Sequence, residues 1–366
     1  MIKSKNGGFI FLVFLLVFLL CGCSTQSNQN HDSGTPNSTP ESLEMKLVWN
    51  VSSVGIPFMD LSPSGNLGAA IDWNSHRIYL VKPDGSSVSF DIKEDDPVGP
   101  TIAGVAVLNG KAYVLGDYAD FSGVRIYSWI GKAGEITGSG GAADGITRSP
   151  NGVYLCYLIT DSPTSQVLVC NGLETELEAT DYSINAVSDT GVVVLREELA
   201  DKSIVIKNGV RLLTLNTSNV IPYEDKLIVN ENDTLKILSL DGEFLASREK
   251  TGFSMTTLLR WTLIPTEHYL FRHEPLGDTH VFIWNLTEVR TLSGFPYFAN
   301  ENFVVTAKDG VIYCYSLSDF HEVFRVEVPG DSLGYIRLSD NGDVMLISGE
   351  TGNFWLYAAL ENNGKN

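Results

Sequence analysis

From Leu43 onward, short apolar stretches alternate with polar turns in a plan that repeats along the chain. Each repeat begins with an apolar stretch and a tight turn, continues with two more apolar stretches, and ends with a second turn and a more polar stretch. Runs such as Val344 to Ile347 place apolar residues on both faces of an extended chain, which is typical of a strand that is covered on both sides. The pattern therefore favours four β-strands per repeat over helices.

The first turn of each repeat recurs eight times, at separations of 34 to 45 residues. The residues that mark it are Gly65, Gly110, Gly152, Gly191, Asp225, Glu267, Glu301 and Gly342. Second turns carry dipeptides such as Asp84-Gly85 and Asn171-Gly172, which accept positive φ and close two-residue hairpins. Four-stranded repeats of this length predict an all-β protein with a single eight-bladed β-propeller. Seven blades are the alternative if the weak unit from Val220 to Lys250 is not a blade, and a pair of β-sandwiches is a second alternative.

The two ends of the repeat region indicate how the ring closes. After Gly342 there is room for two strands before the polar tail, residues 361–366. Met45 to Val51 is a spare strand that belongs to no repeat of its own. We expect it to be the outer strand of the last blade, paired with Phe354 to Ala358, because this pairing leaves no sheet edge of the ring open. The propeller is thus predicted to span residues 44–360.

Three of the first turns share one sequence pattern before an apolar strand, namely Ser62-Pro63-Ser64-Gly65, Ser149-Pro150-Asn151-Gly152 and Ser339-Asp340-Asn341-Gly342. This pattern resembles the blades of the broad superfamily of WD40-like, TolB-like and quinoprotein-like propellers. The resemblance covers residues 44–360 and implies the fold alone, because the Gly-His and Trp-Asp pairs of true WD40 repeats are absent. The six tryptophans also do not reproduce the spaced docking motif of quinoprotein blades.

The N terminus has the features of an export signal. Lys3 and Lys5 precede an apolar run from Phe9 to Leu20. This run is too short for a membrane-spanning helix and has the length of a signal-peptide core. Leu20-Cys21-Gly22-Cys23 resembles the lipobox of exported lipoproteins, so residues 1–22 are predicted to be the signal peptide and Cys23 the lipidated N terminus. An ordinary cleaved signal peptide and an uncleaved membrane anchor are the alternatives.

Residues 23–43 consist mostly of Ser, Thr, Asn, Gln, Asp, Gly and Pro and are predicted to form a disordered tether. Such a tether resembles those of archaeal surface lipoproteins. The protein is then expected to be exported and anchored to the outer face of the cell membrane. On an exported chain, five Asn-x-Ser/Thr sites are candidate N-glycosylation acceptors, namely Asn37, Asn50, Asn216, Asn232 and Asn285.

The net charge of the chain limits which classes of molecule it is expected to bind. The chain has 44 acidic and 25 basic side chains and a formal net charge of −19, so phosphate backbones repel it and no nucleic acid partner is expected. In a propeller, the loops after the second and fourth strand of every blade share one face, and long loops on a rigid scaffold often carry function. These loops hold a predicted acidic binding rim for a cationic or basic partner, formed by Glu94, Asp95, Asp96, Asp117, Asp120, Asp161, Glu197, Glu198 and Asp201. The alternative is that these carboxylates serve solubility, because the whole chain is acidic.

Two sequence patterns resemble a catalytic motif and a metal-binding motif, but neither meets the structural requirement of its motif. Gly330-Asp331-Ser332-Leu333-Gly334 matches Gly-x-Ser-x-Gly, but a nucleophile elbow needs a helix after the serine, and Tyr335 to Leu338 predicts a strand. His268, His273 and His280 share one repeat, yet their spacing does not show the convergence of ligands that a metal requires. No catalytic residue, metal ligand or cofactor site is predicted.

Cys156 and Cys170 lie in two apolar runs that Thr160 to Gln166 connects. If this hairpin is symmetric about Pro163, the two cysteines face each other across antiparallel strands, at a separation that a disulfide can bridge. An exported protein reaches a compartment in which disulfides persist. A disulfide and two buried thiols are both compatible with the sequence. Cys314 has no comparable partner and is expected to be a free thiol in the core.

Together these features predict a membrane-tethered, extracytoplasmic propeller that acts as a binding or assembly module. Its expected partner is a protein or a glycan on the long-loop face. One alternative is a propeller enzyme, quinoprotein-like or lactonase-like, that uses the central funnel and needs carboxylates and histidines converging at the ring axis. The other alternative is a passive envelope component, which a flat face without a concave site would favour.

Overall fold

The computed structural model describes the propeller region with short gaps. The described residues are 43–55, 57–93, 100–118, 121–137, 142–162, 164–178, 181–197, 199–231, 234–249, 263–273, 277–328 and 332–359. All regular elements in these ranges are β-strands, and the ranges contain no helix that could cross a membrane. The predicted signal peptide, Cys23 and the polar tail lie outside the described residues.

Thirty-two strands form eight four-stranded antiparallel sheets, which are the blades of one propeller. The innermost strands of blades 1 to 8 are β2 (Phe58–Leu61), β6 (Thr101–Leu108), β10 (Ala143–Arg148), β14 (Tyr182–Val187), β18 (Val220–Tyr223), β22 (Leu263–Pro265), β26 (Phe295–Ala299) and β30 (Leu333–Leu338). The second strands are β3 (Gly68–Asp72), β7 (Lys111–Asp117), β11 (Leu155–Ser162), β15 (Val192–Glu197), β19 (Lys226–Glu231), β23 (Tyr269–His273), β27 (Phe303–Lys308) and β31 (Val344–Gly349).

The third and outer strands complete each blade. The third strands are β4 (Arg77–Val81), β8 (Ser122–Ser128), β12 (Ser165–Cys170), β16 (Lys202–Lys207), β20 (Thr234–Ser239), β24 (Thr279–Ile283), β28 (Val311–Ser316) and β32 (Phe354–Ala359). The outer strands of blades 1 to 8 are β5 (Ser87–Asp91), β9 (Gly131–Thr137), β13 (Leu173–Leu177), β17 (Val210–Leu215), β21 (Phe244–Glu249), β25 (Glu288–Leu292), β29 (Glu322–Glu327) and β1 (Met45–Val51).

The N-terminal strand closes the ring. β1 pairs antiparallel with β32, with Met45 opposite Ala359 and Val51 opposite Phe354. This confirms the eight blades and the closure that the sequence predicts, and the seven-blade alternative is wrong. Leu43, the last residue of the predicted tether, already lies on the propeller, because its N–H donates to the carbonyl of Val323 at 2.8 Å.

Antiparallel pairing sorts the connections into two faces. The turns between first and second strands, and between third and fourth strands, lie at one end of the blades, which we call the turn face. The connections after the second and fourth strands lie at the opposite end, the loop face. All eight predicted first turns are on the turn face, and Gly65 and Gly152 adopt φ of 71° and 68° there, a conformation that costs glycine little.

The hydrophobic core lies between neighbouring blades. One cluster joins Ile71 and Leu80 of blade 1 to Val107 and Val114 of blade 2. Since each middle strand packs against a blade on either side, both of its faces are buried, and every residue of β31 is buried. This packing explains the continuous apolar runs in the sequence.

The hairpin of β11 and β12 has the register that symmetry about Pro163 implies. Cys156 is opposite Cys170, their Cα atoms are 4.2 Å apart, and their sulfur atoms are bonded. Cys314 in β28 is buried and outside any disulfide, and burial raises the pKa of its thiol. A reactive surface thiolate is therefore not expected at Cys314.

Candidate functional site

The central channel holds one ion cluster at its turn-face end. The side chains of Asp60 and Arg148 are only 7% and 11% exposed. Asp60 accepts hydrogen bonds from Arg148 Nε at 2.7 Å and Nη2 at 3.2 Å. It also accepts the backbone N–H of Val107 at 2.7 Å, and Arg337 Nε lies 3.6 Å from Asp60 Oδ1. The cluster thus joins blades 1, 2, 3 and 8.

This cluster bears on the enzyme alternative. The eight innermost strands, all of which the structure describes, contain two carboxylates, Asp60 and Asp144, and no histidine. Asp144 Oδ2 accepts hydrogen bonds from Thr160 Oγ1 at 2.6 Å and Gln166 Nε2 at 2.9 Å. On these strands, both carboxylates are therefore engaged by protein donors.

The described members of the predicted acidic rim, Asp117, Glu197 and Asp201, lie on the loop face, and two of them serve the fold. Asp117 Oδ1 accepts the backbone N–H of Ala143 at 2.7 Å, and Asp201 Oδ1 accepts that of Ser218 at 3.0 Å. Each bond fixes the start of the next blade, because it pairs a backbone donor that the ladder leaves open. Glu197 is half-buried at the end of β15.

The side-chain placement of the other predicted rim residues is not described by the structure. Glu94, Asp95, Asp96, Asp120 and Glu198 lie outside the described residues, as does the side chain of Asp161. Asp278 is not among the predicted rim residues, yet its Oδ1 accepts the N–H of Gly294 at 3.1 Å in the same manner. Three loop-face carboxylates, Asp117, Asp201 and Asp278, thus tie one blade to the next.

A cavity lined by both polar and apolar surface opens on the loop face where the ring closes. We call it the loop pocket; its volume is about 520 Å³, and it lies between blades 8 and 1. It is lined by Ser52, Ser53, Val54, Asp72, Asn74, Ser75, Thr351 and Asn353. These residues come from the end of β3 and from the β1–β2, β3–β4 and β31–β32 connections, so the pocket exists only in the closed ring.

Asp72 organises one wall of the loop pocket. Its Oδ1 accepts Ser53 Oγ at 2.5 Å and the N–H of Asn74 at 3.1 Å, and its Oδ2 accepts Ser75 Oγ at 2.5 Å. Burial alone would raise the pKa of Asp72, but the hydrogen bonds from Ser53 and Ser75 outweigh it and hold the pKa below the ordinary value of 3.8. The carboxylate is therefore charged at neutral pH and already engaged by protein donors.

The opposite wall comes from blade 8. Ser53 N–H donates to Asn353 Oδ1 at 3.3 Å, and Gly55 N–H donates to the carbonyl of Thr351 at 3.1 Å. Ser52 and Asn74 are exposed, and within the described residues the structure gives their side chains no hydrogen bond. The pocket thus offers hydroxyl and amide groups, with one carboxylate whose charge is compensated by donors.

A second cavity, of about 410 Å³, lies on the turn face. His268, Glu301 and Asp340 are among its lining residues. Burial raises the pKa of Asp340; Arg148 opposes this shift, and Asp189 and Glu301 add to it. Because the carboxylates of Glu301 and Asp340 both line this cavity, it is less suited to a neutral ligand than the loop pocket is.

The histidines of blade 6 do not converge. His268 lies in the turn-face connection before β23, whereas His273 ends β23 at the loop face. His280 Nδ1 lies 2.6 Å from Glu288 Oε1. Within the described part of the chain, no group of three or more His, Cys, Asp or Glu side chains could hold a metal ion. Leu333 and Tyr335 of the Gly-x-Ser-x-Gly region lie in strand β30.

Three of the candidate glycosylation sites are exposed. Asn50 is near the loop-face end of β1, Asn216 follows β17 on the loop face, and Asn285 lies in the β24–β25 turn. Asn285 Oδ1 accepts the N–H of Thr287 at 2.9 Å. Asn37 and Asn232 lie outside the described residues.

The chain is similar in sequence to an archaeal protein and similar in fold to solved WD40 propellers. An Archaeoglobus fulgidus protein, described as uncharacterized, is 52% identical over 354 residues, which are 96% of this chain and 97% of that protein. The C-terminal WD40 domain of Sif2 matches with a TM-score of 0.59 and 10% identity over 87% of this chain and 99% of that one. The WD40 propeller of Doa1 matches with a TM-score of 0.53 and 13% identity, covering 87% and 98%. No established family profile matches the chain.

Proposed function

The chain belongs to the same protein family as the Archaeoglobus fulgidus protein, and from this premise we propose that it is an exported, lipid-anchored propeller that binds a neutral, polyhydroxylated ligand in the loop pocket. The WD40-like fold supplies the scaffold. Support for the anchor comes from the apolar run Phe9 to Leu20 and the lipobox-like Leu20-Cys21-Gly22-Cys23. Support for binding comes from the loop pocket itself.

The path of the chain supports a definite orientation. Strand β1 begins at the turn face beside Val323, so a tether formed by residues 23–42 leaves the propeller from that face. A flexible segment of about 20 residues has a root-mean-square reach of roughly 25 Å. The turn face is therefore held near the membrane, and the loop pocket is presented on the opposite side.

The lining of the loop pocket is the observation that carries the ligand class. Exposed hydroxyl and amide groups recognise neutral polar groups, whereas an anion or a cation needs an uncompensated opposite charge. The single carboxylate, Asp72, already accepts three hydrogen bonds. The net charge of −19 disfavours anionic ligands further. A neutral glycan is the ligand that fits this chemistry best.

Neither alternative function has comparable support. The channel carboxylate Asp60 is bonded to Arg148 and to the Val107 N–H, and this arrangement offers no free acid or base to a substrate. A passive envelope component would need no concave polar site, and the loop pocket is one.

The test measures binding of the detergent-solubilised full chain to immobilised neutral oligosaccharides. Asn74→Ala removes an exposed amide from the loop pocket while keeping the backbone N–H that bonds to Asp72. We expect it to weaken binding at least about tenfold, the effect of one or two lost hydrogen bonds. Asn151→Ala, which removes an exposed amide on the turn face, is the matched control and should leave binding unchanged. Absence of oligosaccharide binding, or equal loss in both variants, would contradict the proposal.

A further inference from the structure

Four consecutive outer strands expose large apolar side chains. Leu173 of β13, Val210 and Leu212 of β17, Phe244 and Leu245 of β21, and Val289 of β25 are each 43–62% exposed. We call these six residues the apolar rim. All of them lie within the first three positions of their strands, and outer strands begin at the turn face. The apolar rim therefore follows the turn-face edge of blades 3 to 6.

The other half of the ring is different. The exposed positions of β5 are Ser87, Ser89 and Asp91, and those of β29 are Arg325 and Glu327. In the described parts of β1, β5, β9 and β29, the exposed large apolar residues are Leu47 and Ile136, at 38% and 39%. Ile130, in the turn before β9, is 94% exposed and is a single apolar residue at the turn-face edge of blade 2. Since scattered apolar residues are normal on a protein surface, the informative feature is the group of six on the outer strands of four consecutive blades.

The apolar rim is continuous from blade to blade. A methyl group at Gly209, which precedes Val210, would lie 3.2 Å from Leu173 Cδ2. Arg248 of β21 donates to the carbonyl of Leu286, in the turn that leads to β25, at 3.1 Å. Outer strands of neighbouring blades are thus in contact through the turns that precede them. The six side chains therefore lie along one edge of the ring, and apolar residues concentrated in this way mark docking sites for proteins or membranes.

The strands that carry the apolar rim hold charges of both signs. Strands β17, β21 and β25 each contain one arginine, at positions 211, 248 and 290, and together they contain two glutamates, at 249 and 288. Strand β13 adds Glu174 and Glu176, and Asp241 and Glu243 are exposed in the turn before Phe244. Arginine side chains can lay their apolar stems along such a surface while the guanidinium group stays in water. Contact with an uncharged, apolar interface is therefore favoured over contact with a strongly charged partner.

We propose that the apolar rim rests on the surface of the lipid bilayer that anchors the protein. This inference depends on the proposed lipid anchor at Cys23. The tether leaves from the same face that the rim borders, so the bilayer is held within reach of the rim at all times. A short flexible tether gives an effective concentration in the millimolar range, and at that concentration a weak interfacial contact is populated.

The experiment uses the full-length lipoprotein reconstituted in neutral phosphatidylcholine vesicles that contain nitroxide-labelled lipid. A bimane fluorophore is attached at Phe244→Cys, and a second preparation carries it at Val289→Cys. Ser89→Cys on the polar outer strand β5 is the matched control, because Ser89 is exposed at a comparable strand position. The native cysteines downstream of Cys23 do not interfere, since Cys314 is buried and the others are bonded.

The proposal predicts at least twofold stronger lipid quenching at positions 244 and 289 than at position 89. Equal or absent quenching, in protein whose N terminus is lipidated by mass spectrometry, overturns the rim contact and leaves the anchor standing. An unmodified N terminus overturns the proposed anchor and this inference with it. Shielding of position 244 from both lipid nitroxide and aqueous iodide, together with cross-linking between copies, overturns the inference in favour of a self-interface.

Discussion

The turn face and the loop face are made by the same strands but are held together differently. On the turn face, neighbouring turns bond through the backbone, as where Asp340 N–H donates to the carbonyl of Pro63 at 2.7 Å, and also through a carboxylate, as where Glu267 N–H donates to Glu301 Oε2 at 2.7 Å. The Asp60 cluster adds bonds among four blades there. On the loop face, single carboxylates such as Asp117 reach across to the start of the next blade.

Both faces contain a cavity, but they differ in what surrounds it. On the turn face, a cavity of about 410 Å³ lies among acidic turn residues, and the buried Asp60 cluster makes this face the rigid base of the ring. On the loop face, the loop pocket lies between blades 8 and 1, where Gly55 N–H donates to the carbonyl of Thr351. We infer that the base faces the membrane and that the pocketed face meets the ligand.

The largest effect is expected at the centre of the turn face. Asp60→Ala leaves Arg148 buried without its carboxylate partner, and breaking a buried ion pair in this way costs about 3–5 kcal/mol of the free energy of unfolding. Urea denaturation of the purified protein measures the loss. Asp84→Ala, at an exposed turn of the same face, is the control and should have no measurable effect. If the free energy of unfolding of Asp60→Ala equals that of the unaltered protein within error, the stability of the turn face does not depend on this cluster.

A smaller effect is expected from the disulfide at the turn-face end of blade 3. Replacing both Cys156 and Cys170 by serine should lower the free energy of unfolding by about 3 kcal/mol, as the loop-entropy estimate gives for a loop of this length. Reductant should destabilise the unaltered protein and leave the double variant unchanged. Thiol titration of denatured, unreduced protein should find Cys314 alone downstream of Cys23. Three titratable thiols would contradict the disulfide.

Loop-face carboxylates should each matter less. Asp117→Ala removes the acceptor of the Ala143 N–H and should cost about 1–3 kcal/mol, the usual effect of leaving a partly buried donor unpaired. Asp201→Ala tests the same arrangement two blades away, and the two losses should add because the sites share no partner. Thermal denaturation of the two single variants and the double variant measures this. A strongly non-additive result would mean that the loop face, like the turn face, responds as one unit.

The smallest effect concerns the pH dependence of stability at the loop pocket. The pKa of Asp72 is lower in the folded protein than its ordinary value of 3.8. The stability that Asp72 contributes is therefore fully present above about pH 4 and is lost as the pH falls through the lower, folded-state pKa. Asp72→Asn should flatten the acid limb of a stability–pH profile. An unchanged acid limb would show that Ser53 and Ser75 do not favour the charged form.

Much of the fold could be predicted because it is encoded locally. The Gly and Asn-Gly turns fix the strand count, and the spare strand Met45 to Val51 fixes the closure. The opposition of Cys156 and Cys170 follows from one hairpin and its midpoint. Each of these features depends on residues close together in sequence or on counting the strands, and periodicity is a reliable guide to both.

The site could not be predicted in the same way, because it joins distant parts of the chain. The loop pocket brings together Ser53, Asp72 and Asn353, which meet only when the ring is closed. Asp60 and Arg148 are separated by 88 positions in the sequence, and they lie two blades apart along the ring. A count of acidic residues in loops also cannot distinguish a carboxylate that faces solvent from one, such as Asp117, that accepts a backbone N–H.

The orientation of the two faces is tested most directly by their distances from the membrane. A donor fluorophore is placed at Asn74→Cys on the loop face or at Asn151→Cys on the turn face of the lipoprotein in vesicles, and energy transfer to acceptor-labelled lipid is measured. The account predicts that the turn-face probe lies closer to the bilayer by about one strand length, roughly 15–20 Å. Equal transfer from both probes, or stronger transfer from the loop face, would contradict it.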